Sequence, residues 1–217
     1  MTRARELADQ HKTLDVDGGT IKLDGNYPVA TNNVALGDTA LDSLTSGNNN
    51  TAIGHIALTA NTSGGGNTSI GGFTLAFNSS GSSNTALGNS ALYDNTSGSS
   101  NVAVGESSLE NNTTASYNTA VGYQASYAGT TAQQNNALGY EALRHTTTAS
   151  YNNAFGVQAL RLNTTGANNT AMGQAALYNN TTASDNTAVG YQAAYVNTTG
   201  TYLTAIGTQS AFYNTTG

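Results

Sequence analysis

The chain has 217 residues, a net charge of −6 and no cysteine or tryptophan, and only 8% of its residues are charged. It therefore has no disulfide staple, and with four of its six basic residues (Arg3, Arg5, Lys12, Lys22) in the first 22 positions it lacks a basic stripe for a phosphate backbone. It has neither an apolar run of bilayer-spanning length nor an apolar signal-peptide core behind Met1, so nucleic-acid binding, membrane insertion and signal-directed export are not expected.

Residues 1–32 stand apart. Thr2–His11 mixes charges on a helix-capable stretch, with Thr2 a candidate cap and Glu6 within its reach. Residues 13–25 alternate apolar and polar around Gly18-Gly19, the pattern of a small hairpin. Pro28 closes the segment. It reads as an N-terminal attachment or capping piece, suited either to docking another protein or to covering the first coil of the repeat region.

From residue 33 to residue 217 one unit recurs in step. Gly37, Gly54, Gly71, Gly88, Gly105, Gly122, Gly139, Gly156, Gly173, Gly190 and Gly207 are spaced by 17 residues. With each glycine as position 0, the unit reads N-T-A-φ-G-x-x-A-L-x-x-N-T-T-G-x-x. Asn stands at −4, an apolar residue at −1, mostly Leu at +4, Thr at +8 and Gly or Ala at +10. Composition alone would suggest disorder, but strict periodicity overrules it.

Seventeen residues are too few for a helix–turn–helix repeat, which takes about thirty or more. Two short strands, T-A-φ and A-L, joined by turns at the glycine and at N-T-T-G, fit the unit well. The expected fold is all-β: a parallel β-solenoid of eleven 17-residue coils over residues 33–217. At the spacing of paired strands this makes a rod of roughly 50 Å.

Stacked coils place like residues over like residues. Asn50, Asn67, Asn84, Asn101, Asn118, Asn135, Asn152, Asn169 and Asn186 then form a structural ladder, each amide donating to one neighbour and accepting from the other. The Thr columns are expected to do the same with hydroxyls. The coil interior is expected to hold the apolar −1 residue with Thr or Val at −3. The small Ala residues then lie on a second face, which another subunit would cover. A homo-oligomer is the expected state.

Chemistry-bearing residues do not converge. His11, His55 and His145 fall in unrelated phases of the repeat, and Glu106 and Glu110 flank one turn without a matching pair. The unit lacks the Asp of Ca²⁺-binding solenoids, and no phosphate-cradling glycine loop is found. No catalytic, cofactor or metal site is expected, and the chain is not expected to be an enzyme. Tyr123, Tyr140 and Tyr191 follow their glycines directly, while Tyr93, Tyr127, Tyr178 and Tyr195 come five after theirs. Such rings either pack between coils or subunits with the hydroxyl wet, or clamp sugars. Tyr123, Tyr140 and Tyr191 are the candidate receptor contacts.

The run N-T-A-V-G-Y-Q-A at 118–125 and 186–193 resembles the repeats in the heads of YadA-like trimeric autotransporter adhesins. That resemblance, over residues 33–217, implies a left-handed parallel β-roll assembled as a homotrimer. The 17-residue N-T-T-G units are also similar to those of tail fibres and other appendages of bacteriophages, cyanobacterial viruses above all, as is the opening MTRARELAD. The implied function is a structural fibre or appendage protein located on a phage virion. It would be a rigid trimeric shaft that contacts other virion proteins through residues 1–32 and adheres to host-surface polysaccharide. Two alternatives are an ice-binding solenoid and a cell-surface adhesin. Against the former, Thr113-Thr114, Thr147-Thr148 and Thr181-Thr182 are adjacent, so successive hydroxyls diverge.

Overall fold

The protein's structure is a computed structural model describing residues 30–216 throughout and, ahead of them, three short strands. The stretch Thr2–His11 lies outside the described residues. The hairpin expected around Gly18-Gly19 is present as β1 (Leu14–Val16) and β2 (Gly19–Lys22), paired antiparallel. Strands β3 (Asn26–Tyr27) and β4 (Ala30–Thr31) form a second antiparallel pair.

Eleven three-residue strands come next: β5 (Val34–Leu36), β6 (Thr51–Ile53), β7 (Thr68–Ile70), β8 (Thr85–Leu87), β9 (Val102–Val104), β10 (Thr119–Val121), β11 (Asn136–Leu138), β12 (Asn153–Phe155), β13 (Thr170–Met172), β14 (Thr187–Val189) and β15 (Thr204–Ile206). Each pairs in parallel with the next, one repeat on: Val121 lies beside Leu138, and Ala120 beside Ala137. β2 runs antiparallel along β5, so the hairpin closes the N-terminal edge of the stack. The chain is an all-β parallel solenoid, with no helix among the described residues.

The second strand expected at A-L does not form. Positions +2 and +4 instead adopt left-handed backbone, as at Gln124 (φ 52°), Leu41 (φ 57°) and Leu143 (φ 52°), and −5 does so too, as at Tyr117 (φ 64°). For residues other than glycine this costs about 1 kcal/mol or more each. Cross-coil bonding offsets the cost: Leu41 N–H donates to Ala57 O at 3.0 Å, and Gln124 N–H to Glu106 O at 3.0 Å. Full burial of the Leu side chains adds about 2–3 kcal/mol each. The glycine itself is required. Gly122 has φ +132°, and a Cβ there would sit 2.5 Å from the carbonyl oxygen of Gly139 in the next coil.

The interior reverses the expectation. Ala at −2 (Ala52, Ala86, Ala120, Ala137) and at +3 (Ala57, Ala91, Ala125, Ala142) is fully buried together with Leu at +4. The apolar −1 residues and the residues at −3 point outward and are partly to largely exposed, as at Leu87, Val121 and Met172. The reason is width. In the third coil the −2 and +3 positions are Ser69 and Thr74, and their hydroxyl oxygens lie 2.6 Å apart across the lumen. A tube that narrow takes small side chains from both walls, alanine at most positions, and leaves the bulky −1 residues outside. The Ala face is therefore the core, and it is the opposite face that is left open.

Candidate functional site

Two Asn columns line the interior. Along the column at −4, each side-chain Oδ1 accepts the backbone N–H one coil on: Asn67 N–H to Asn50 Oδ1 at 2.9 Å, Asn118 N–H to Asn101 at 3.0 Å and Asn186 N–H to Asn169 at 3.0 Å. The Nδ2 atoms donate chiefly to the carbonyl at +10 of their own unit, as from Asn50 to Gly64 O (2.9 Å) and from Asn135 to Ala149 O (2.8 Å). Asn67, Asn84, Asn101 and Asn169 add amide-to-amide bonds of 3.1–3.2 Å. Asn152 completes the column, its Oδ1 accepting from Asn169 N–H. The ladder thus runs mainly through backbone rather than from amide to amide.

The second Asn column, at +7, escaped the sequence reading as a buried feature, although the consensus contained it. Asn78, Asn95 and Asn112 each donate Nδ2 to the Oδ1 one coil back, at 2.7–2.9 Å. Both columns converge on one acceptor: Gly81 O receives Asn67 Nδ2 at 2.9 Å and Asn78 Nδ2 at 3.0 Å. These amides are fully buried, so each needs its partners, and leaving one unpaired costs about 1–3 kcal/mol. The +7 column breaks where Gly129 and Thr146 replace Asn, and Asn112 Oδ1 there is buried without a partner.

On the outside, the Thr hydroxyls at +8 bond to backbone rather than to one another: Thr62 Oγ1 donates to Ser79 O (2.9 Å) and Thr96 Oγ1 to Thr113 O (2.9 Å). Ser at +11 accepts backbone N–H from the preceding coil, as Ser99 Oγ does from Ser82 at 3.0 Å.

Rings stack in two columns. At +5, Tyr178 lies on Tyr195 (centroids 5.1 Å, 13° between planes) and Tyr195 on Phe212 (5.1 Å, 7°). The same column holds Arg144 over the Tyr127 ring and Arg161 over that of Tyr178. At +1, Tyr123 stacks on Tyr140 (5.4 Å, 16°), while Tyr191 stands three coils further on; the three are 40%, 47% and 45% exposed. The most exposed rings away from the chain end were not singled out from sequence: Tyr117 and Tyr151 at −5, with Tyr202 in the last coil. Their signal was a spacing of twice the repeat between Tyr117 and Tyr151.

One charged cluster is built across these columns. Glu141 accepts from Arg161 Nε at 2.7 Å and Gln158 Nε2 at 3.0 Å, with Arg144 Nε at 3.5 Å. Burial pushes the Glu141 carboxyl up, but the bonds from Arg161 and Gln158 and the charges of Arg161 and Arg144 outweigh it and hold the group below its ordinary value. Neighbouring His145 is held below the usual histidine value by burial and then by the charges of Arg144 and Arg161. The arrangement staples coils together. Among the described residues no three His, Asp or Glu side chains form a group that could hold a metal ion.

No family model, curated protein or solved structure matches the chain.

Proposed function

We propose that the chain is the shaft of a fibre or appendage, a stiff solenoid rod that assembles as a trimer on a phage virion and adheres to host-surface polysaccharide. One observation carries this reading: side-chain amides and hydroxyls bond, and rings stack, from each coil to the next along the length of the stack. Such columns resist bending, because opening one side of the rod stretches a rung of backbone and side-chain bonds at every coil. The repeat resemblance supplies the setting and the trimer. Adhesion would arise from multiplicity, with exposed tyrosines, among them Tyr123, Tyr140 and Tyr191, making weak contacts whose avidity grows with the number of chains. The ice-binding alternative has less support, since the +8 hydroxyls are engaged by carbonyls.

The test is location. Antibody raised against residues 33–217, with gold detection on purified particles from the source, is expected to decorate their appendages. Label confined to the cell envelope or cytosol, with none on particles, would contradict the proposal.

A further inference from the structure

The outward side of the sheet is the part of the rod that its own bonding leaves open. In all eleven strands the −1 residue is apolar and faces out, and the −3 position beside it is Thr, Val or Asn, never charged. Along the −1 column Leu87 is 45%, Val121 37% and Met172 45% exposed, with Ile206 of the last coil at 69%, while Ile53, Ile70, Val104, Leu138 and Val189 are partly buried. A strip about 50 Å long and one three-residue strand wide covers roughly 500 Å² before the flanking +1 residues are added. The strip is apolar along its whole −1 column and polar at nine of its eleven −3 positions, so about half of it, a few hundred Å², is a continuous apolar ridge. With the +1 rim the strip approaches the about 800 Å² that each partner contributes to a standard stable interface.

The pitch selects the occupant. Side chains on the strip repeat at the strand spacing of about 4.8 Å, so knobs and gaps alternate at that period along the whole sheet. A partner can interdigitate at every rung only if its own surface has the same period, as in the dry packing of paired in-register sheets. This chain has that surface. The rim gives the direction. At +1 the N-terminal coils carry Asp38, His55 and Glu106, whereas later coils carry Tyr123, Tyr140 and Tyr191. A parallel partner sets the aromatic half against the aromatic half, whereas an antiparallel one sets it against the charged half.

We propose that the outward −1 and −3 columns join this chain to further copies of itself, sheets parallel and in register. This deepens the shaft reading by naming the face through which chains associate. It replaces the alanine face that sequence alone suggested.

The test uses the absence of native cysteine. Leu87→Cys, Val121→Cys and Met172→Cys, made singly and oxidised mildly, are each expected to give a cross-linked pair of chains. A single cross-linking position would overturn the parallel register, and none would overturn the interface. Sedimentation supplies the second readout. The native chain is expected to exceed its 22.0 kDa single-chain mass, and Val121→Glu with Met172→Glu to fall to that mass while keeping β-type circular dichroism. A native chain that sediments singly, or a folded double variant that keeps the oligomer mass, contradicts the proposal. The particle-labelling experiment reads location instead of mass, so the two readings fail separately.

Discussion

Adjacent residues on one strand meet opposite environments, and Ala120 and Val121 are the clearest pair. Ala120 lies fully buried in the lumen, whereas Val121 is outside. Ala120→Val forces two methyl groups into a space sized for alanine and is expected to cost about 1–3 kcal/mol, seen as a lowered melting temperature. Val121→Ala, measured at concentrations too low for chains to associate, should stay within about 0.5 kcal/mol. The opposite ranking would show that the faces have been exchanged. Acid supplies a second handle. Both Glu141 and His145 have folded values below their unfolded ones, so the unfolded chain binds more protons and stability falls as the pH falls. The His145 contribution is full above about 6.5 and is lost below it; that of Glu141 is full above about 4.5 and is lost as the pH drops through its depressed folded value. Glu141→Gln should remove the lower step of a melting-temperature profile against pH and enlarge the upper one, because the Glu141 charge partly offsets the depression of His145.

The coil is the element in which sequence legibility can be judged. The glycine spacing disclosed the stacking, because Val121 and Leu138 could be neighbours only in a solenoid of that period. Which face was inside was misread by hydrophobicity, since the large apolar residues are out and alanine is in. The signal was present in the parity of the strand: Asn at −4 and Ala at −2 share a side, so a buried amide ladder requires a buried alanine. The left-handed Leu at +4 could not be read, because β-branched or bulky residues rarely take that backbone and nothing in the composition marks it. The coil around Gly122 is the irregular one, with Ser126 in place of Leu and Gly129 in place of Asn. A Cβ at Gly129 would meet only ordinary contacts, 3.4 Å to Ser126 Oγ and 3.5 Å to Thr146 O. Gly129→Asn together with Thr146→Asn should therefore join the two interrupted halves of the ladder and satisfy Asn112 Oδ1. The double variant is expected to gain about 1–2 kcal/mol in chemical denaturation. A loss would mean that the irregular coil is adapted to its own packing.

At the scale of the whole molecule, each coil touches only its neighbours, so stability accumulates as a sum along the stack and the ends are its weakest part. The N-terminal edge is covered by the β1–β2 hairpin. At the other end Tyr202 is 81% and Ile206 69% exposed, and exchange of backbone amides is expected to be fastest in that final coil. The central claim is a constant rise per coil, and pulsed electron spin resonance between label pairs on the exposed +9 column measures it directly. Ser63→Cys with Thr148→Cys spans five coils, and Ser63→Cys with Thr182→Cys spans seven. In labelled chains diluted with unlabelled ones, separations near 24 Å and 34 Å are expected, in proportion to coil number at about 4.8 Å each. Distances that fail to lengthen by about 10 Å between the two pairs would contradict an in-register stack.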